Sequence, residues 1–374
     1  MLLISTCGTS LLTHDLSADE RNKFARLANK KEQDLSREEK KYLDRHAADC
    51  GEKLLQASLE QARKMSAEIN GIAAVYAGQL PQGTSNRHIF LHSDTYMGAL
   101  SVEMLMRWAQ NNGLNNESKT FPGLHTASLE SFRPAMSEAA RWCCEEIAPQ
   151  RSTRDRIVFN LTGGFKSVQG FMQTLGMFYA DEVVYIFEGS TELLRIPRLP
   201  LSIEAATMQI IGENVVLFRK MAAGIPLDKE TCRDIPETLL DAYGPNAYAL
   251  SPWGEIFWHR YKEAYYGKAF IQESPLPEKI SFSKGFLADV RQFENNPQKL
   301  AELNERIDDL TQYFLGNTIS IKRLNFKLLE GNPVPGCTHE FYAWRTGGAW
   351  RCFCVFDEYK KDLCHIKKLG PHLK

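Results

Sequence analysis

No run in this 374-residue sequence comes near twenty consecutive apolar residues, and Met1 leads straight into Leu2-Leu3-Ile4 with neither a basic n-region nor a sustained apolar h-region. A membrane-spanning helix is therefore not expected, and the cytoplasm is the expected compartment. Cysteine pairs at metal-ligand spacing are also missing. The nine cysteines, an odd number, are scattered through apolar stretches such as Trp142-Cys143-Cys144 and Arg351-Cys352-Phe353-Cys354 with no C-x-x-C pair. Reduced core thiols follow from that, not a disulfide framework or a zinc site. A large charge excess is absent too: the formal net charge of −1 argues against a surface coated for nonspecific nucleic-acid binding. There is no internal repeat and no low-complexity segment. With 43 % hydrophobic and 24 % charged residues the whole chain is expected to fold. Its length exceeds the usual single domain of roughly 100–200 residues, so two or three domains are expected.

The overall charge balance hides an asymmetry. From residue 315 onward ten Lys or Arg face five Asp or Glu, so the tail is basic. Upstream, short β-rich runs alternate with helical stretches. Leu2–Ser5, Ile72–Ala77, Ile89–Leu91, Arg156–Leu161 and Val183–Phe187 read as strands, and Leu16–Ile69, 97–112 and 134–147 carry apolar residues at helical spacing. Such alternation predicts an α/β domain with a parallel sheet over residues 1–205. Residues 206–276 read as helical, possibly in the sense of a small winged helix, with a break at Gly224-Ile225-Pro226. Past Ser274-Pro275-Leu276-Pro277, residues 277–374 predict a small α+β domain: a strand at Ile280-Ser281-Phe282, one or two helices, and strands near 321–329, 339–344, 350–356 and 363–366.

The strongest local signal is Asn160-Leu161-Thr162-Gly163-Gly164-Phe165-Lys166-Ser167, where a buried strand passes into a helix. Two glycines allow close backbone approach, the N–H groups of a helix start attract an anion, and Lys166 adds a full charge. The spacing fits neither G-x-G-x-x-G nor the phosphate loop of ATPases. Two further strand-end loops, Cys7-Gly8-Thr9-Ser10-Leu11 and His92-Ser93-Asp94-Thr95, offer more hydroxyls and amides. In an open α/β sheet such loops converge at the carboxyl ends of the strands. Ser93 and Thr95 serve equally well as helix caps, so their role stays open.

These motifs, with Ser66-Ala67-Glu68-Ile69-Asn70 and in this order, resemble the CRISPR-associated Rossmann fold, or CARF, domains over about residues 1–205. The resemblance implies a Rossmann-like sensor that binds a cyclic oligoadenylate, with cyclic tetra-adenylate as the activator, in a pocket formed by a homodimer. A twofold-symmetric ring suits an isologous dimer that offers each loop twice. The implied ligand-binding residues are Gly8, Thr9, Ser10, Ser93, Asp94, Thr95, Thr162, Gly163, Gly164 and Lys166.

In the basic tail, His339 to Phe353 reads as a hairpin turning at Gly347-Gly348. Arg, Lys and His gather there beside aromatics, a composition suited to gripping phosphates and stacking bases. With Lys322-Arg323-Leu324-Asn325-Phe326-Lys327-Leu328-Leu329-Glu330-Gly331, the pair Trp350-Arg351 and the strand ending in Lys367-Lys368, this region resembles the RelE superfamily of messenger-RNA interferases over about 278–374. The resemblance implies a metal-independent endoribonuclease acting on messenger RNA in the ribosome, with no cofactor. The ribose 2′-hydroxyl attacks its own phosphate, so a base, an acid and cations are required. Arg351 is the candidate phosphate ligand, Arg345 and Lys368 supporting cations, His339 the candidate base, and His372 or Lys367 the acid. RelE relatives commonly carry lysines on the strand that here holds Glu340–Trp344; this chain has none, so either His339 and the tail substitute or another residue set acts.

Two other functions stay open at this level. One is a ligand-responsive transcription factor that uses residues 206–276 on DNA, although that segment lacks the basic bias of a recognition helix. The other is an enzyme that degrades the cyclic oligoadenylate in its own pocket.

Overall fold

A computed structural model describes residues 1–81, 85–153, 156–187, 192–201, 204–316, 324–330, 333–345, 347–357 and 363–372. Lys322, Arg323, Gly331 and Thr346 of the tail motif lie outside the described residues. The chain divides into two compact units, Met1–Ser202 and Ile203–Lys374.

The first unit is built on strands β1 (Leu2–Thr6), β2 (Arg87–Leu91), β3 (Asn115–Lys119), β4 (Ile157–Asn160), β5 (Glu182–Ile186) and β6 (Leu193–Pro197). Their order is β3-β2-β1-β4-β5-β6, parallel throughout except for β6, which runs antiparallel to β5. β1 and β4 are buried at every position. This is why they read as continuous apolar runs without alternation. Leu3, Phe90, Val158 and Val184 pack with Ile69, Ile72, Leu105 and Trp108 of the helices Ala67–Val75 and Tyr96–Asn111. The helix Lys166–Tyr179 lies on Phe159 and Val183, which a Cβ at Gly176 would strike. The sheet is thus an α/β sheet with a parallel majority, and β1 and β4 stand where the strand order changes direction.

Ile72–Ala77 is not a strand. Ile72–Val75 forms the end of the helix Ala67–Val75, with Tyr76 and Ala77 in the turn that follows. The helix is capped by Ser66 Oγ, which accepts the Ile69 N–H at 3.2 Å. Ile69, Ile72 and Ala73 are fully buried, and a helix with little amphipathic contrast cannot be told from a buried strand by its apolar run alone. The opposite error falls on β3. Its sequence, Asn-Asn-Glu-Ser-Lys, is polar because it forms an exposed sheet edge.

In the second unit, helices Ala205–Glu213 and Val215–Ala222 and the helix Pro252–Tyr265 enclose a three-stranded antiparallel sheet. Its strands are β7 (Leu227–Asp228), β8 (Leu240–Tyr243) and β9 (Ala247–Leu250), in the order β7-β9-β8. A five-stranded sheet follows, of β10 (Ile280–Phe282), β11 (Lys327–Leu328), β12 (His339–Trp344), β13 (Gly347–Asp357) and β14 (Leu363–Pro371), in the order β10-β14-β13-β12-β11. Where a full strand is expected near 321–329, the described part contributes only Lys327–Leu328. The chain enters it through Asn325, whose positive φ of 49° belongs to a turn. Helix Pro297–Phe314 packs Leu300, Leu303, Ile307 and Leu310 beneath Phe341, Ala343 and Cys352.

That helix also ties the two sheets of the unit together. The fully buried Arg219 guanidinium pairs with Asp308 at 2.7 Å and donates to the Glu273 carbonyl at 2.9 Å. Tyr266 Oη donates to the other Asp308 oxygen at 2.7 Å. Asn304 Nδ2 donates to the carbonyls of Tyr266 and Ala269. A buried pair of this kind is costly to break from one side, because it strands the remaining partners. Arg219→Met is therefore expected to destabilise the second unit by about 3 kcal/mol, read as a lowered urea midpoint, whereas Arg233→Met on the exposed loop leaves the midpoint unchanged.

Candidate functional site

The carboxyl ends of β1 and β4 meet around one side chain. Glu68, in the first turn of the helix Ala67–Val75, is 1 % exposed. Its Oε1 accepts the Gly8 N–H at 2.8 Å, and its Oε2 accepts Ser10 Oγ at 3.0 Å and Ser66 Oγ at 2.6 Å. The loop after β4 closes over the same carboxylate: a Cβ on Gly163 would fall on Glu68, and a Cβ on Gly8 would come within 3.1 Å of the Gly164 nitrogen. Gly164 has φ +100°, a conformation costly for any side-chain-bearing residue. Thr6 Oγ1 donates to the Gly163 carbonyl, and Gln169 Nε2 donates to the same oxygen at 3.0 Å. Burial and the nearby negative charge of Glu68 push the Cys7 thiol well above the usual range.

Beside this floor opens a cavity of about 610 Å³ lined by Ser10, Thr13, His14, Arg21, Arg63, Lys64, Asn70, Thr162, Ile186 and Phe187. The volume falls in the usual range for small-molecule sites. Of the residues expected to bind ligand, Ser10 and Thr162 line the cavity, and Gly8, Gly163 and Gly164 form the adjoining floor. Thr9 is taken up locally: its carbonyl accepts Thr13 Oγ1 at 3.0 Å. Lys166 is the exposed first residue of a helix whose start has no side-chain cap, and it is not part of the cavity lining.

The side chains of the loop after β2 are bonded within the protein and do not line the cavity. Ser93 and Thr95 are buried and bonded to each other at 2.9 Å, and Thr95 Oγ1 caps the helix Tyr96–Asn111 by accepting the Gly98 N–H at 3.1 Å. Asp94 accepts Lys31 Nζ at 2.7 Å and the Gly123 N–H at 2.8 Å. Burial alone would raise the Asp94 carboxyl, but these donors hold it below its ordinary value.

Sequence reasoning missed His14, Arg21, Arg63 and Lys64. Arg63 and Lys64 end a short helix, Leu59–Met65, that reads as solvated. The available signal is their position just before the Ser66 cap that leads into Glu68.

The second unit gathers charge on the sheet face that carries Glu340. This residue is 1 % exposed, with Lys327 Nζ at 3.4 Å, Arg351 Nε at 3.7 Å and His372 Nδ1 at 3.5 Å from its carboxylate oxygens. The register explains the convergence. Lys327 pairs with Glu340, Tyr342 with Arg351, and Phe353 with both Glu340 and Lys368. Paired residues of an antiparallel sheet share a face, so Lys368 joins the set. The Arg351 guanidinium stacks 4.2 Å above the Tyr342 ring and donates to the Trp350 carbonyl at 3.0 Å.

His339 precedes Glu340 in β12 and points to the opposite face. Its ring stacks on Phe326 at 5.2 Å and meets Phe356 edge-on. Arg345 is held by Glu305 at 2.9 Å, against the helix Pro297–Phe314, and its backbone N–H donates to Glu302. Lys367 is exposed near Gly336. The structure therefore brings Arg351 and His372 together with Lys327 around Glu340, the last two being outside the expected set, and places Lys368 on the same face. It keeps His339 and Arg345 apart from them.

The close approach of Gly163 to Glu68 has a direct test. Gly163→Ala must displace the carboxylate and is expected to cost about 1–3 kcal/mol. Gly170→Ala, on the exposed side of the following helix where a Cβ meets nothing within 4 Å, is expected to stabilise by up to ~1 kcal/mol. Urea unfolding of both variants reads the difference in sign.

Compared with known proteins, residues 63–199 match the model of a CRISPR-associated protein family, Cas_APE2256. No curated protein matches the chain. The matched stretch contains Arg63, Lys64, Glu68, Asn160 and the Thr162–Lys166 loop, and this similarity supports a CRISPR association for the unit that holds the cavity.

Proposed function

We propose that the chain is a CRISPR effector in which cyclic tetra-adenylate, bound at the carboxyl ends of β1 and β4, switches on an endoribonuclease centred on Glu340. The sensor half of this reading is supported by the basic cavity, where His14, Arg21, Arg63 and Lys64 stand beside strand-end loops. A twofold copy of that cavity suits a ring with four phosphates, so the active form is a homodimer.

The observation that carries the nuclease half is the convergence of Lys327, Arg351 and His372 on the buried Glu340. Cleavage of RNA through its 2′-hydroxyl needs a base, a cationic site for the crowded phosphorane and an acid for the departing 5′-oxygen. Glu340 takes the proton of the 2′-hydroxyl as that oxygen attacks phosphorus. Arg351, with Lys327 and Lys368, balances the phosphorane charge. Protonated His372 delivers a proton to the 5′-oxygen as its bond to phosphorus breaks, leaving a 2′,3′-cyclic phosphate and a 5′-hydroxyl. Tyr342, beneath the Arg351 guanidinium, keeps that fork in plane. In this assignment Glu340 takes the role expected of His339. The substrate is messenger RNA, with the ribosome as the surface that presents it.

Purified protein incubated with end-labelled RNA, ribosomes and cyclic tetra-adenylate is expected to cut only when the ring is present. Glu340→Gln is expected to slow cutting by about 10²–10⁴-fold and Arg351→Ala to abolish it, whereas His339→Asn, on the other face, leaves the rate within about threefold of wild type. Cutting that survives Glu340→Gln unchanged would refute the assignment. A DNA mobility shift without RNA cleavage would favour a transcription factor instead.

A further inference from the structure

Among the described residues, three hydroxyl-bearing side chains line the cavity of the first unit, those of Ser10, Thr13 and Thr162. A hydroxyl carries one proton and two acceptor lone pairs, so the destination of the proton decides what it can offer a ligand. All three protons are committed to the protein. Ser10 Oγ donates to Glu68 Oε2 at 3.0 Å, and a carboxylate has no proton to return. Thr13 Oγ1 donates to the Thr9 carbonyl at 3.0 Å, which has none either.

Thr162 Oγ1 lies 2.7 Å from Asn160 Oδ1. The orientation of that amide is set by its other bonds: Asn160 Nδ2 donates to the Glu68 carbonyl and to Ser5 Oγ, each at 3.2 Å, while Oδ1 also accepts the Thr162 N–H at 3.3 Å. A flipped amide would set a donor against a backbone N–H and an acceptor against a carbonyl. The Thr162 proton therefore points at Asn160.

What these residues turn toward the cavity is lone pairs. A phosphate oxygen placed against them would be repelled, and the charge that attracts phosphate is supplied by other residues of the same cavity, Arg21, Arg63 and Lys64. Of these, Arg63 is aimed by its Nε, which donates to Asn70 Oδ1 at 2.9 Å. We infer that the cavity is divided by polarity. Its basic side chains hold phosphate, and its hydroxyls accept hydrogen bonds from a donor on the nucleotide, either the ribose 2′-hydroxyl or the adenine 6-amino group.

This rests on the proposed sensing of cyclic tetra-adenylate, and it gives Ser10 and Thr162, expected only to bind ligand, the part of hydrogen-bond acceptors. Glu68 is the positioning residue that sets the polarity of Ser10. Such an arrangement makes the site selective, because an analogue without the donor leaves acceptors unpaired in a desolvated site.

The test is calorimetric titration of the full chain with three rings: cyclic tetra-adenylate, its 2′-deoxy counterpart and cyclic tetra-inosinate. At least one analogue is expected to bind about tenfold or more weakly than the parent; loss with the deoxy ring assigns the hydroxyl, and loss with the inosine ring assigns the amine. Ser10→Ala and Thr162→Val are expected to weaken the parent ring toward that analogue while leaving the analogue within about twofold of its wild-type affinity. Equal binding of all three rings by the wild-type chain overturns the inference. So does a uniform loss for all rings in both variants, which is the signature of a phosphate-holding hydroxyl. In either of those outcomes the sensor reading survives, since the ring still binds; binding of none of the rings refutes both.

Discussion

The first unit is organised around a carboxylate that has no exit to solvent. Glu68 sits below the loops that follow β1 and β4 and draws them into contact through Gly8, Ser10 and the close passage of Gly163. A buried, unpaired carboxylate costs several kcal/mol, and the three hydrogen bonds to its oxygens offset that cost while fixing the positions of the donors. At Gly163 the carboxylate leaves no room for a Cβ, and at Gly8 a Cβ would crowd the backbone of Gly164. The same contact decides the chemistry of the cavity. The Gly8 N–H and the Ser10 proton are turned inward to Glu68, so the loop after β1 is no open anion nest, and the positive charge lining the cavity comes from Arg21, Arg63 and Lys64.

A similar principle operates on the sheet of the second unit, with charged partners in place of neutral donors. There a buried carboxylate, Glu340, has Lys327, Arg351 and the His372 imidazole around it. Lys327 and Arg351 reach it from β11 and β13, the two strands that flank β12, and His372 reaches it from just past the end of β14, one strand further on. The surplus of positive charge on this face suits a polyanion. The network of Arg219, Asp308, Tyr266 and Asn304 anchors the helix Pro297–Phe314 that supports the other face of this sheet. Through Glu305 that helix also holds Arg345. Burial pushes the Glu305 carboxyl up, against the opposing pull of Arg345.

Much of this was legible in the residues. Leu2–Ser5 and Arg156–Asn160 announce buried strands, and Thr162-Gly163-Gly164 announces a close backbone approach. The hairpin from His339 to Phe353 is present as expected, but its turn does not fall at Gly347-Gly348: Gly347 already pairs with Trp344, and both glycines belong to β13. Elsewhere local pattern misleads for physical reasons. The helix Ala67–Val75 is so deeply buried that its apolar run looks like a strand, and β3 is so exposed that it looks like a loop. Arg63 and Lys64 end what reads as a solvated helix, and only the turn of the chain at Ser66 aims them into the cavity. Glu340 and His339 differ by one position along a strand, and one position reverses the face. Pattern alone does not say which of the two meets Arg351; the pairing of Tyr342 with Arg351 and of Lys327 with Glu340 does. Ser93 and Thr95 admitted two readings, and the helix cap accounts for both hydroxyls.

The central claim is capture of an anionic cyclic nucleotide by the basic cavity at the carboxyl ends of β1 and β4. Its most direct test is the melting temperature of the first unit's transition with and without cyclic tetra-adenylate, in the wild-type chain and in Arg63→Ala. At a ligand concentration of about 100 times the dissociation constant the gain is about 2.7 kcal/mol, which for a unit of this size is a rise of about 5–10 °C. The account predicts that rise in the wild-type chain and most of it lost in Arg63→Ala. An unchanged transition in the wild type, or an equal rise in both proteins, would contradict it.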